Sequence, residues 1–126
     1  MIIEDRTIKV MAYNLETILA EKLETVISRG DQNTRPRDYY DIFILTRLQE
    51  KNIDLDSLSL AIDNTAKKRA TSEIIKDYRH IMDVVKQSDA MIRHWDDYKK
   101  DFDYARDIDF ADTCDSVVEI MDKIQP

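Results

Sequence analysis

Only one stretch of this chain is an obvious turn. The run Gly30-Asp31-Gln32-Asn33-Thr34-Arg35-Pro36 holds the only Gly of the 126 residues and one of the two Pro. Residues that supply left-handed backbone or block helix propagation are nearly absent elsewhere, and that scarcity favours a few long helices over many short strands joined by tight turns. With 43% hydrophobic and 36% charged residues, the chain can fill one core and clothe it. The length fits one domain. The expectation is a single all-α (mostly) domain over residues 1–126, a helical bundle of about five helices, with room for one short N-terminal strand.

The formal net charge of -7 and the pI near 4.8 argue against this chain alone gripping a phosphate backbone, which relies on Lys and Arg displacing counterions. A local basic patch is compatible with both numbers. Cys114 is the only cysteine and cannot form an internal disulfide, no apolar run approaches a membrane span, and the opening Met1-Ile2-Ile3-Glu4-Asp5-Arg6 is unlike a secretory signal. The cytoplasm is the expected compartment. His80 and His94 are far apart and no second cysteine joins Cys114, so a zinc site is not expected.

Thr7 to Tyr13 alternates weakly with period two and reads as one short strand, which would need a partner outside this chain, a second copy in a homodimer, or an extended path along the helices. Asn14 then offers an N-cap. Leu15, Ile18, Leu19, Val26 and Ile27 follow at helical spacing, and the helix should end near Arg29-Gly30. The polar run leads to a second helix over about Arg37 to Glu50, and so short a connection implies an antiparallel hairpin.

Asp54 or Asp56 should cap a third helix through about Lys68, whose apolar face is less clear. Thr71 or Ser72 opens a segment with Ile74, Ile75, Tyr78, Ile81, Met82 and Val85 at three- and four-residue steps. Ser88 either restarts or continues it through Met91, Ile92, Trp95 and Tyr98. A last helix should run from about Asp109 or Ala111 to Ile124.

Two charges sit on the wrong faces. On a wheel of about 100° per residue, Lys22 falls between Leu15 and Ile18, inside the apolar stripe, while Glu16, Glu21 and Glu24 occupy the opposite or flanking surface. On the second helix Asp41 lies within the stripe of Tyr40, Ile44, Leu45 and Leu48, with Asp38 one turn away on the same side. In a hairpin the stripes face each other, so Lys22 should meet Asp41 with Asp38 close by. The group is either a structural ion pair that sets the hairpin register, a lysine whose head escapes to water, or the floor of a cleft that holds phosphate, with or without a metal, beside the cluster Arg35, Arg37 and Asp38. Trp95, Tyr98, Phe102 and Tyr104 could stack on bases, although an aromatic stripe in an acidic helical chain more often fills a core. Lys67, Lys68 and Arg69 form a basic knot at the expected end of the third helix.

The stretch Leu15 to Leu45, with Ala20-Glu21-Lys22-Leu23 followed by Arg37-Asp38-Tyr39-Tyr40-Asp41, resembles the signature region of the AbiEii/AbiGii abortive-infection toxins, nucleotidyltransferase-like toxins of type IV toxin-antitoxin systems. Those proteins join a polymerase-β-like nucleotidyltransferase domain to a helical half, and this sequence is similar to the helical half. The resemblance implies required roles for Lys22, Asp38 and Asp41, with Arg37 as the motif arginine, these groups contacting the phosphates of a nucleoside triphosphate and supporting the active cleft. Arg35 beside them is a nucleotide-binding candidate from its place in the sequence. It implies Mg and NTP as cofactors of the full-length type, a phage-defence setting, a cognate antitoxin as partner, and transfer of nucleotides to RNA, in some relatives to the acceptor end of tRNA.

The likeness has a gap. The catalytic carboxylates of that family sit in a Gly-Ser motif followed by Asp-x-Asp, and no Gly-Ser dipeptide exists in this sequence. Asp107-Ile108-Asp109 has the spelling but follows the signature and lacks the phosphate-cradling turn. The chain therefore reads as the helical domain, or a truncated form, with the catalytic domain absent and with no activity or cofactor of its own. The competing reading is a non-catalytic interaction or oligomerisation module in which Lys22 and Asp41 form a structural ion pair.

Overall fold

The computed structural model describes residues 15–124. The expected strand at Thr7–Tyr13 and the Asn14 cap lie outside the described residues. Within them the chain forms seven α-helices and no strand. They are α1 (Leu15–Arg29), α2 (Pro36–Leu48), α3 (Leu55–Arg69), α4 (Ser72–Lys76), α5 (Tyr78–Lys86), α6 (Asp89–Asp101) and α7 (Phe110–Ile124), with single 3-10 turns at Gly30–Gln32, Glu50–Asn52 and Asp103–Ala105. The mostly helical class stands, and the count of about five is corrected to seven.

The extra helices come from breaks that carry no Gly or Pro. At Asp77 the backbone N–H bonds to the Ile74 and Ile75 carbonyls, a tightened turn that separates α4 from α5 while the apolar periodicity runs on through it. At Gln87-Ser88 the helix does stop. Ser88 takes an extended conformation and its hydroxyl accepts from the Met91 N–H, which caps α6.

The expected punctuation appears elsewhere. Gly30 has φ +54° and closes α1, Pro36 occupies the first turn of α2 where its missing N–H costs nothing, and Asp54 caps α3 by accepting from the Asp56 and Ser57 N–H groups. Ala70, φ +56°, performs at the end of α3 what Gly30 does at the end of α1.

α1 is the central element, with Leu19, Ala20, Leu23, Val26 and Ile27 all buried. α3 runs beside it in the same direction, since Glu16 accepts from the Asp54 N–H at one end and Glu24 pairs with Arg69 at the other. α2 packs against α7 through Tyr39 and Phe110, whose rings meet edge to face at 5.1 Å. α7 in turn packs on α5, tied by Tyr78 donating to Asp122 and Lys86 to Asp115. Trp95 is buried and donates its ring N–H to the Ile108 carbonyl at 2.9 Å. That bond fixes the loop in which Asp107 and Asp109 both point to solvent.

Two expectations about faces are corrected. Leu48, read as an edge of the apolar stripe, is 73% exposed because α2 ends there and the chain turns away. Glu24, read as flanking surface, is 2% exposed because α3 covers that side of α1.

Candidate functional site

The hairpin of α1 and α2 places a lysine against two aspartates. The Lys22 ammonium lies 2.9 Å from Oδ2 of Asp41, to which it donates, and 3.5 Å from Oδ1 of Asp38. Its stem lies along the hairpin and its head reaches the lip, so the side chain is only 24% exposed. Two arginines flank the carboxylates at longer range, with Arg35 Nε 3.8 Å from Asp38 and Arg37 Nε 3.8 Å from Asp41. Both arginines are largely exposed, so their forks are free to turn toward a ligand. The structure thus brings together all five residues singled out in the sequence: Lys22, Asp38 and Asp41 at the centre, Arg35 and Arg37 at the rim.

The loop between the helices supports this geometry. Asn33 is fully buried and its side-chain oxygen accepts from the Arg35 N–H at 2.9 Å, which holds the extended backbone that delivers Pro36 into α2. Asp38 then falls in the first turn of α2, where the helix dipole favours a carboxylate.

One atom in this group is unsatisfied. Oδ2 of Asp38 is buried and accepts no hydrogen bond, because Lys22 engages the other oxygen and Arg35 stands beyond hydrogen-bonding distance. Asp38 also lines an open cleft of about 330 Å³ together with Lys22, Glu21, Thr25, Arg35 and Arg69. A larger groove of about 520 Å³ runs between α2, α3 and α7 past Arg47, Ile53 and Lys123. No residue lining that groove carries a buried polar atom without a partner, so the chemistry singles out the smaller cleft.

The donor set does not suit a divalent metal. Mg²⁺ needs oxygen ligands around a vacant centre, whereas here an ammonium already stands between the two carboxylates. Among the described residues no three His, Cys, Asp or Glu side chains gather to hold a metal ion. Cys114 is buried and its thiol is pushed up to about 12 by loss of solvation, which makes it inert.

The aromatic stripe divides. Trp95 and Tyr98 are core, while Phe102 and Tyr104 are 42% and 53% exposed at the end of α6 and in the turn after it. Tyr104 packs on Tyr40, whose hydroxyl is held above its ordinary pKa by burial, by Tyr104 and by Asp41.

Sequence reading missed the second ion pair, Glu24 with Arg69, joined by the Thr71 hydroxyl donating to Glu24 at 3.0 Å. Wheel position assigned Glu24 to a flank and could not show which helix would cover it. Among the described residues no helix is long and apolar enough to cross a membrane.

No curated protein and no solved structure matches the chain. A family comparison matches residues 1–119 to the family described as nucleotidyl transferase AbiEii toxin, type IV TA system. That match spans nearly all of the 126 residues, including both helices of the Lys22 hairpin. The chain belongs to the AbiEii nucleotidyl transferase toxin family of type IV toxin-antitoxin systems.

Proposed function

We propose that this chain is the helical part of a type IV toxin nucleotidyltransferase and that its Lys22 cleft binds the phosphates of a nucleoside triphosphate. Family membership supports the chemistry in general. The observation that carries the assignment to the cleft is the pairing of a lysine with a quarter of its side chain exposed and Asp38, whose Oδ2 is buried and unsatisfied, both lining an opening.

An ammonium has three N–H donors; Asp41 takes one as a hydrogen bond, and Asp38 stands in ion-pair range at 3.5 Å. In this reading a remaining N–H meets a phosphate oxygen. Asp41 and Asp38 fix the amine in place, so little side-chain freedom is lost when the ligand arrives. Arg35 and Arg37 add forked donors suited to phosphate at the rim. Oδ2 of Asp38 needs a donor, which a sugar hydroxyl or a base amino group supplies.

The metal-bound carboxylates of nucleotide transfer are not part of this arrangement. In this reading they come from a nucleotidyltransferase domain carrying the Gly-Ser and Asp-x-Asp motifs, and this chain alone does not transfer nucleotides. Mg²⁺ would enter with that domain, the acceptor would be RNA, a cognate antitoxin would restrain the assembled toxin, and phage defence in the cytoplasm would be the setting.

A second reading has its own support. Lys22 bridges α1 and α2, and Arg69 bridges α3 and α1, so both ion pairs could serve only to set helix register in an interaction or oligomerisation module. Titration separates the two. Ribonucleoside triphosphates, added by calorimetry to this chain with and without a catalytic domain from a family member, should bind, and Lys22→Ala should weaken binding by tenfold or more, on the order of one charge-assisted contact. Absence of any affinity in both settings would leave the register role alone.

A further inference from the structure

The third cation on the cleft comes from an element outside the hairpin. Arg69 ends α3, and its side chain lies across α1 to pair with Glu24 and to donate to Thr25 Oγ1 at 3.3 Å. Both contacts use the same nitrogen, Nη1. The guanidinium has five N–H donors in a planar fork, so Nη2 and Nε keep theirs. They have no hydrogen-bond partner among the described residues, and the residue lines the same cleft as Lys22, Arg35 and Asp38.

Glu24 is an unusual anchor. Its side chain is 2% exposed, one oxygen is taken by Arg69, and the other accepts from Thr71. A carboxylate this deep is costly unless fully paired, and here the pairing fixes the guanidinium from behind. The neighbouring Lys67 and Lys68, next to Arg69 in the sequence, are exposed and take no part. Arg69 alone of that basic knot is aimed.

We propose that Arg69 is a ligand-contacting residue of the Lys22 cleft, with Glu24 as its positioning residue, and that it takes the end of a polyphosphate chain lying away from Asp38. The proposal rests on the nucleotide reading of that cleft and names the part of the ligand read by α3. A ligand with its donor-bearing end at Asp38 and its phosphates toward Lys22 and Arg69 offers partners to the unsatisfied Asp38 Oδ2 and to the unengaged donors of Lys22 and Arg69. In this reading a single phosphate held by Lys22 leaves Arg69 unused.

The test compares ribonucleoside triphosphates with the matching monophosphates by calorimetric titration of the full chain, using wild type, Arg69→Lys and Lys22→Ala. Lysine at position 69 keeps a charge for Glu24 and removes the fork, so thermal unfolding should stay within a few degrees of wild type. Triphosphate affinity of Arg69→Lys should fall about tenfold, and monophosphate affinity should change less than twofold, consistent with loss of one forked phosphate contact. Equal loss for both ligands, or none, overturns the role of Arg69 while binding that depends on Lys22 leaves the parent reading intact. Failure of wild type to bind any triphosphate overturns both.

Discussion

Lys22 and Asp41 face each other across the α1–α2 hairpin at 2.9 Å, each with a quarter of its side chain open to water. A pair at that depth is neither a free surface ion pair nor a dry one. Lys22→Ala leaves Asp38 and Asp41 beside each other without their cation, and should cost about 1–3 kcal/mol in urea unfolding. Lys22→Met keeps the apolar stem along the helix and should recover part of that stability while leaving nucleotide affinity as low as in Lys22→Ala. A Met variant that regains affinity would show that the amine is not what the ligand meets.

The Glu24–Arg69 pair should respond asymmetrically. Arg69→Ala strands a carboxylate that is 2% exposed, and the loss should be about 3–5 kcal/mol, the range found when one partner of a buried pair is removed. Glu24→Gln strands an arginine that is 47% exposed and can turn to water, so it should cost less, about 1–2 kcal/mol. Denaturant midpoints for the two variants check the order. Equal costs would mean that water reaches Glu24 in the folded chain.

These two pairs show where the sequence was legible. Lys22 and Asp41 were readable because they lie on consecutive helices joined by a short turn, so each stripe could be assigned to the other by geometry. Glu24 and Arg69 lie 45 residues apart, on helices whose mutual orientation no periodicity encodes. The helix does open at Thr71-Ser72 as the sequence indicates, with Thr71 at the N-cap position, but the Thr71 hydroxyl makes no side-chain cap and goes to Glu24 instead. The break at Asp77 was hidden for a related reason. Ile75, Tyr78 and Met82 keep facing the core across it, so the apolar pattern has no gap to betray the turn. The roles of Lys22, Asp38 and Asp41 toward a ligand were carried by family likeness, since spacing alone favoured an ion pair or a lysine reaching water over a cleft.

Ala70 holds a left-handed conformation, φ +56°, ψ +40°, where its Cβ crowds the backbone. The position closes α3 with the Thr71 N–H bonded to the Ala66 carbonyl at 2.9 Å, an arrangement that glycine adopts without strain. Ala70→Gly should therefore stabilise the chain, by about 0.5–1 kcal/mol once the greater unfolded-state freedom of glycine is deducted. A rise of a few degrees in Tm is the expected readout, and a fall would mean that the Ala70 methyl contributes contacts larger than its strain.

Cys114 is buried, and its thiol is raised to about 12 chiefly by loss of solvation, with Asp115 adding to the shift and Thr113 and Lys86 opposing it. Alkylation needs the thiolate, so iodoacetamide at pH 8.5 should label the folded chain at least about a hundredfold more slowly than the chain in urea. The same shift sets a pH dependence. The folded state retains the thiol proton over a range where the unfolded state has lost it, so this contribution is intact below about pH 9 and declines as pH rises toward 12. Cys114→Ala should flatten that part of the stability profile.

Two buried oxygens on α2 are without hydrogen-bond partners, the Tyr39 hydroxyl and Oδ2 of Asp38, and their surroundings predict opposite consequences. Tyr39 stacks edge to face on Phe110 inside the core and does not line the cleft, and burial holds its hydroxyl well above the ordinary tyrosine range. A hydroxyl that has left water and gained no partner is a cost to folding, so Tyr39→Phe should be neutral or stabilising by about 1 kcal/mol and should leave triphosphate affinity unchanged. Asp38 opens on the cleft instead. Asp38→Ala removes the acceptor that a sugar hydroxyl or base amino group would meet and one of the two groups that hold Lys22, so affinity should fall by tenfold or more. Tripolyphosphate, which carries anions but no such donor, should be less sensitive to Asp38→Ala than a nucleoside triphosphate is. If the two ligands lose affinity equally, the Asp38 oxygen does not meet the nucleoside, and its effect on binding runs only through the placement of Lys22.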